Sequence, residues 1–345
     1  LNVAFLEGRI GFDVTVYQNT VINQILRVAV SGASGYGEAW VNAGEIEAKG
    51  IEFTLNASPV RKGDFSWDID FNIARNRTYV NSLYKNLTNK ELQVALTDGW
   101  GGLRVNARVG EEWGTLTGGG FQTFQATDAQ GNPIEHPSNG KRIVDADGFY
   151  QYQANKELGS ILPDFTGGLR NTFTYKNLSL SVFMDFQKGG QFFSITRMFN
   201  AYSGLGAETV GNNDKGNPIR DDIAEGGGIR VDGVDENGEA VTAYVEAQSY
   251  YANLFGMNEN WLYDASYIKL RELRLGYSLP NTVVSKTPFR NISVAVIAKN
   301  LLLIHSNVDG IDPSEIAEGI GGYNAVEGGV LPGVRSLGFN IKFGF

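Results

Sequence analysis

Along most of this chain apolar and polar residues alternate one by one. The final segment shows the pattern most plainly. In Arg335–Phe345, Leu337, Phe339, Ile341, Phe343 and Phe345 take every second place, with Gly338, Asn340, Lys342 and Gly344 between them. An extended strand sends successive side chains to opposite faces, so a strand with one apolar and one polar face is predicted. In water such a terminal edge invites aggregation. In a transmembrane barrel, lipid covers the apolar face and closure removes the edge.

The same alternation predicts ten further strands: Leu1–Leu6, Ile10–Ile22, Gly44–Ser58, Phe65–Thr78, Leu103–Val109, Trp113–Gln125, Phe165–Tyr175, Leu178–Gly190, Asp264–Leu279 and Asn291–Leu303. Their connections alternate in length. Segments 7–9, 59–64, 110–112, 176–177 and 280–290 are short, whereas 23–43, 79–101, 126–164, 191–263 and 304–334 are long. Outer-membrane barrels are built this way, with short periplasmic turns and long extracellular loops. The expected fold is therefore an all-β, antiparallel transmembrane β-barrel, with about eleven strands here and the C-terminus in the periplasm. An odd strand number does not complete a single-chain bacterial barrel. Leu1 follows no initiator methionine, and the chain reads as a C-terminal portion of something longer.

Composition agrees. The 345 residues include 44 glycines and nine prolines, with 12% aromatic residues. A mean hydropathy of −0.19 suits strands that are apolar on one face only. A net charge of −9 argues against nucleic acid. No apolar run reaches the roughly 18 residues of a membrane helix. With no cysteine in the chain, disulfides and thiol chemistry are excluded.

Several stretches together resemble the SusC/RagA family of TonB-dependent outer-membrane transporters of Bacteroidota. They are Asn42–Glu52, Phe65–Asn76, Leu162–Leu169, Ala265–Pro280, Ala298–Leu301 and the closing Gly338–Phe345, spread over nearly the whole chain. The resemblance implies a barrel of roughly 22 strands, of which residues 1–345 would be the C-terminal half. A plug domain and a TonB-contacting segment would lie outside this sequence. It further implies import of a nutrient, an oligosaccharide or oligopeptide, with a SusD-like surface lipoprotein as lid. Transporter and lid could pair into a homodimer of such units. Gly338, Phe339, Ile341, Phe343 and Phe345 look like the signal read by the barrel-assembly machinery, and outer-membrane lipid is the remaining partner.

Catalytic and metal signatures are sparse. His136 and His305 are the only histidines, and they fall in different predicted loops, where surface roles are expected. Asp145-Ala-Asp147-Gly148 and Asp232–Glu239 resemble pieces of calcium loops but lack the full alternate-ligand pattern and closing glutamate. Plain turns are the simpler reading, and no cofactor is expected. Glu111-Glu112 and Asp221-Asp222 are weak glycosidase pairs, because adjacent carboxylates point apart. Gly118–Gly120 and Gly226–Gly228 read as flexible linkers. No enzymatic activity is expected, so an outer-membrane hydrolase lacks its constellation.

Aromatic residues in the predicted outer loops are the best substrate-contact candidates: Trp40, Trp100, Tyr250, Tyr251, Phe255, Trp261 and Tyr323. Such rings stack on sugars or line side-chain pockets, but they also form interfacial girdles or pack against a lid. Trp67 and Trp113 read as periplasmic girdle. Asp68, Asp70, Asn72, Glu272, Arg274 and Lys342 occupy polar faces and are candidates to line the lumen or face the plug. A secreted or surface all-β carbohydrate-binding or adhesion protein is the alternative. It would explain the loop aromatics but leaves the strands' apolar faces uncovered.

Overall fold

A computed structural model describes residues 1–29, 35, 38–42, 44–85, 88–93, 102–316, 325–329 and 331–345. Nine strands, all but the four-residue first one long, form one antiparallel sheet: β1 (Asn2–Phe5), β2 (Ile10–Ile22), β3 (Glu45–Lys62), β4 (Phe65–Ser82), β5 (Pro163–Tyr175), β6 (Leu178–Gly189), β7 (Tyr267–Ser278), β8 (Asn291–Ser306) and β9 (Ser336–Gly344). Each pairs with its sequence neighbour. The sheet does not close on itself, so β1 and β9 are its two edges. This is the topology of a stretch of barrel wall.

The register shows how the sequence pattern becomes two surfaces. Trp67, Phe173, Leu180, Leu275, Val296 and Phe339 stand opposite one another across six strands. One residue along, the row is Asp68, Thr172, Ser181, Arg274, Ile297 and Gly338. Because strand side chains alternate, the first row belongs to a continuous apolar face and the second to a largely polar one. The apolar face is uncovered, with Val296 50% and Phe339 82% exposed. No helix among the described residues is long and apolar enough to cross a membrane.

Among the described residues nine strands, not eleven, make the wall. Arg104–Arg108 and Thr115–Phe121 instead join Asn89–Gln93 and Tyr152–Ser160 in a separate four-stranded sheet. At five and seven residues they are shorter than the roughly nine to eleven needed to span a bilayer. Thr115–Phe121 is also buried along nearly its whole length, whereas a wall strand has one free face. Removing this pair preserves the strict alternation. The wall's short turns are 6–9, 63–64, 176–177 and 279–290, and its long connections are 23–44, 83–162, 190–266 and 307–335.

The hydrophobic core lies in the long connections, not in the wall. Leu103, Val105, Leu116, Phe121, Phe193, Met198, Leu254, Trp261 and Val326 belong to one cluster drawn from three of them. Helix α1 (Ile195–Tyr202) contributes Ile195, Met198 and Ala201, and α2 (Ala247–Phe255) contributes Tyr251 and Leu254. A small sheet of Gln191–Ser194, Leu262–Asp264 and Val326–Glu327 ties the second and third together. The stretches expected to be loop, 126–164 and 191–263, are thus largely folded.

Gly118–Gly120 is part of this packing and not a linker. A methyl group on Gly118 would lie 2.6 Å from Asn258 Oδ1, and one on Gly119 2.6 Å from the Gly256 carbonyl. Asn258 Oδ1 instead accepts a hydrogen bond from the Gly119 amide at 2.8 Å. Glu259 accepts one from Phe121 N at 2.9 Å and also pairs with Lys156. Glycine lets the 258–261 turn seat directly on the strand's backbone.

Candidate functional site

Where the long connections meet the polar face of the wall, a dense charge network holds the last one in place. Lys269 on β7 is 2% exposed. Its Nζ reaches Asp312 at 2.6 Å, Glu315 at 2.7 Å and Ser314 Oγ at 3.2 Å. Arg271, at a register shift between Leu270 and Glu272, bridges Glu315 and Asp185, both at 2.8 Å. The backbone irregularity turns Arg271 towards Glu315, the carboxylate that Lys269 also reaches. Asp312 also caps the short helix Pro313–Glu315 by accepting from Ser314 N at 3.0 Å. Burial disfavours an ionised Asp312, but hydrogen bonds from Lys269 and Ser314 outweigh it and hold the carboxyl below its ordinary range. The hydrogen bond from Lys269 does the same for Glu315 against a smaller burial effect.

Beside this network is a cavity of about 470 Å³, lined in part by Thr196, Leu303, Ile311, Glu327, Leu331 and Arg335. Glu327 is 4% exposed. Its two oxygens accept from Ser194 Oγ and Thr196 Oγ1, each at 2.6 Å, and from Gly329 N at 3.0 Å. A buried carboxylate held by neutral donors is an acceptor group at the chamber wall. The chamber therefore combines apolar surface with hydrogen-bonding groups, the mixture that binds polar organic solutes.

The aromatic candidates separate into distinct environments. Trp40, on Glu38–Asn42, is free, with 72% exposure. Trp261 is 3% exposed, and its Nε1 donates to the Leu254 carbonyl at 2.8 Å. Tyr251 is buried too, its hydroxyl donating to Glu208 O at 2.5 Å, and burial pushes that hydroxyl up to about 12. Tyr250 is wedged between Tyr150 and Tyr251, with ring centroids 6.5 and 5.2 Å away. Phe255 packs edge-on to Phe199 and against Tyr202. Trp261 and Tyr251 are core residues with no ring face open for stacking, because the connections have a core to fill. Trp100 and Tyr323 lie outside the described residues.

Tyr202 and Phe199 were not singled out from the sequence, yet Tyr202 is exposed beside a second cavity of about 480 Å³ shared with Arg220, Glu246 and Gln248. The helical spacing Ile195, Met198, Phe199, Tyr202 was the available signal. Trp113 also departs from expectation. It packs against Val80, Leu83 and Ala107 at the long-connection end, because the turn beside it is not a wall turn. Trp67 does lie near the 63–64 turn, stacked on Phe173 at 5.9 Å with Nε1 donating to Asn171.

The polar-face candidates share one surface. Asp70 faces Arg170, which lies 3.5 Å from Glu272, and Asn72 faces Gly168. Asp68 accepts from Ser58 Oγ and Ser66 Oγ, and Lys342 faces Ser293. Arg274 faces Ser181. On β9, Phe339, Ile341 and Phe343 share the apolar face, Gly338 is one residue out of phase with them, and Phe343 and Phe345 pack on Phe289.

The acidic stretches form turns. Asp145 accepts from the amides of Asp147 and Phe149, and Asp235 from those of Asn237 and Glu239. Asp128 and Asn213 repeat the arrangement two and four residues on. These are four versions of one Asx-capped loop with glycine at the fourth place. Hydrogen bonds led by the Glu239 amide hold Asp235 below its ordinary range. Among the described residues no three His, Cys, Asp or Glu side chains are grouped to hold a metal. Glu111 turns to Arg108 and Glu112 to Arg77, while Asp222 caps Ile223–Glu225, so neither acidic pair converges. His136 lies in its loop, accepting from Ser138 N. His305 is on β8.

No family profile matches the chain. Individual relatives do. TonB-dependent receptor P26 of Formosa agariphila is 29% identical over 99% of this chain and 34% of its own length. TonB-dependent receptor SusC of Bacteroides thetaiotaomicron is 25% identical over 93% of the chain and 29% of its own length. The chain is thus similar over nearly its whole length to TonB-dependent receptors, SusC among them. It spans about a third of the curated relatives it matches. The RagAB peptide transporter superposes with a TM-score of 0.63 at 19% identity, covering 99% of this chain and 34% of that one. An open-open state of the RagAB peptide importer gives 0.64 at 17%. That likeness establishes the barrel fold for the wall and its folded connections.

Proposed function

We propose that this chain is of the SusC/RagA family and forms wall and outer loops of an outer-membrane importer. It takes up a nutrient, an oligosaccharide or oligopeptide, together with a SusD-like lipoprotein and with energy from TonB. The plug and the TonB-contacting segment belong to residues outside these 345. The reading rests above all on one relationship: the long connections follow the same end of a sheet whose outer face is apolar, and among the described residues three of them pack into a cored assembly anchored to the opposite, polar face. That end is extracellular, and β9 descends to the periplasm. Asp68, Asp70, Asn72, Glu272, Arg274 and Lys342 face the lumen or plug. Solute is held among the folded connections, the lid closes over it, and release follows movement of the plug. No covalent chemistry is involved.

The uncovered apolar face disfavours a secreted binding protein, which would need a second layer over it. The test is uptake. A strain lacking the gene, given oligosaccharide or oligopeptide mixtures as sole carbon source, should lose growth on one class. The protein drawn from outer membranes in detergent should bring a surface lipoprotein with it. Unchanged growth on every class, with no lipoprotein retained, would overturn the reading.

A further inference from the structure

The apolar face ends abruptly at its extracellular margin. On β4, Phe65, Trp67, Ile69, Phe71 and Ile73 are followed on the same face by Arg75, Arg77 and Tyr79. Arg75 lies ten residues beyond Phe65. At about 3.3 Å per residue and a tilt near 40°, that is about 25 Å of height, the thickness of a barrel's apolar band. Arg75 therefore stands where lipid tails give way to headgroups.

Its neighbours complete a niche. Arg75 faces Ile51, which faces Val16, and one row further out Arg77 faces Lys49, which faces Gln18. These residues, with Tyr79, line a shallow cavity of about 570 Å³. Its floor is apolar, since Val16 and Ile51 are exposed there. The cations differ in availability. Arg77 is committed to Asp164 at 2.6 Å and Glu112 at 3.4 Å. Lys49 pairs with Glu47 at 2.7 Å yet remains half exposed, 5.9 Å from the Tyr79 ring. Arg75 is exposed and has no ion-pair or hydrogen-bond partner among the described residues.

A guanidinium on the lipid face with no ion-pair partner among the described residues, above an apolar floor and beside a half-exposed ammonium, presents two cations to one anion at the membrane surface. Guanidinium groups bind phosphate by paired hydrogen bonds, and acyl chains would cover Val16 and Ile51. We infer that this niche binds the phosphorylated headgroup of an outer-leaflet glycolipid, with Arg75 as principal ligand and Lys49 as second. The inference rests on the membrane placement proposed above.

Native mass spectrometry of the protein purified from outer membranes tests it, with monophosphorylated lipid A, the same lipid after dephosphorylation, and inorganic phosphate as probes. The wild type should retain the phosphorylated lipid and lose the dephosphorylated one. Each cation near a membrane surface contributes about 1 kcal/mol, about fivefold in affinity. Arg75→Gln should therefore weaken retention about fivefold, and Arg75→Gln with Lys49→Gln by about twenty-five-fold. Lys176→Gln, at a short turn on the opposite edge, should change nothing. Equal retention by wild type and the double variant, both showing heat-modifiable gel migration, would overturn the lipid site alone. Displacement of the lipid by micromolar inorganic phosphate would overturn it too, assigning the niche to the free anion. Absence of heat-modifiable migration in the wild type would instead remove the membrane placement itself.

Discussion

Lys269 and Asp312 are 43 residues apart in sequence, and their charged groups meet at 2.6 Å. With Glu315 and Arg271 they fasten the last long connection to the polar face of the wall. Lys269→Met keeps the aliphatic stem and removes the charge. Breaking a fully buried pair costs about 3–5 kcal/mol. Because both carboxylates keep some solvent access, about 1–3 kcal/mol of local stability should be lost here. Hydrogen exchange across 307–316 should quicken about fivefold or more, while β7 and β8 stay protected.

The same anchor sets a pH dependence. Asp312 and Glu315 are held below their ordinary values of 3.8 and 4.5 in the folded protein. A depressed carboxylate contributes stability above its unfolded pKa and loses it as pH falls through the folded one. Exchange at 307–316 should thus be insensitive to anchor titration from pH 7 to about 5, then rise as pH drops below about 4. In Lys269→Met the acid-induced rise should be smaller.

Gly119 is a packing residue. Gly119→Ala would bring a methyl group within 2.6 Å of the Gly256 carbonyl and against the Tyr152 ring. Overpacking of this kind costs about 1–3 kcal/mol. Limited proteolysis should cut the 83–162 and 190–266 connections sooner than in wild type, with the detergent-resistant wall intact.

Two aromatic substitutions should separate structure from binding. Trp261→Ala empties a core position and should cost about 3–5 kcal/mol in the connections, visible as a lower first thermal transition. Tyr202→Ala removes an exposed ring beside Arg220 and Glu246. It should leave that transition within about 0.5 kcal/mol and weaken capture of the transported solute. The reverse pattern would place the binding surface elsewhere.

Much of the wall was legible in the sequence, because strand alternation is local: Phe65, Trp67, Ile69, Phe71 and Ile73 declare their face without any partner. The two misassigned strands show the limit. Leu103–Val109 and Trp113–Gln125 carry strand-like residues, but pairing alone determines which sheet they join. The folded connections were harder still. Trp261 and Tyr251 look like surface rings in a polar, glycine-rich context, and only long-range contacts with Phe193, Met198 and Val326 bury them. Lys269 appeared as one polar residue in a strand, and nothing nearby in sequence announced Asp312 or Glu315.

The absence of cysteine makes the decisive measurement clean. Single cysteines can be introduced at Leu275, Val296 and Phe339 on one face and at Ser181, Arg274 and Ser293 on the other. Each is labelled with a fluorophore after reconstitution in bilayers and quenched by brominated lipid. Quenching should be strong at all three apolar-face positions and weak at the three polar-face ones. Equal quenching on both faces, or labels on Leu275, Val296 and Phe339 that aqueous iodide quenches freely, would contradict a membrane-spanning wall.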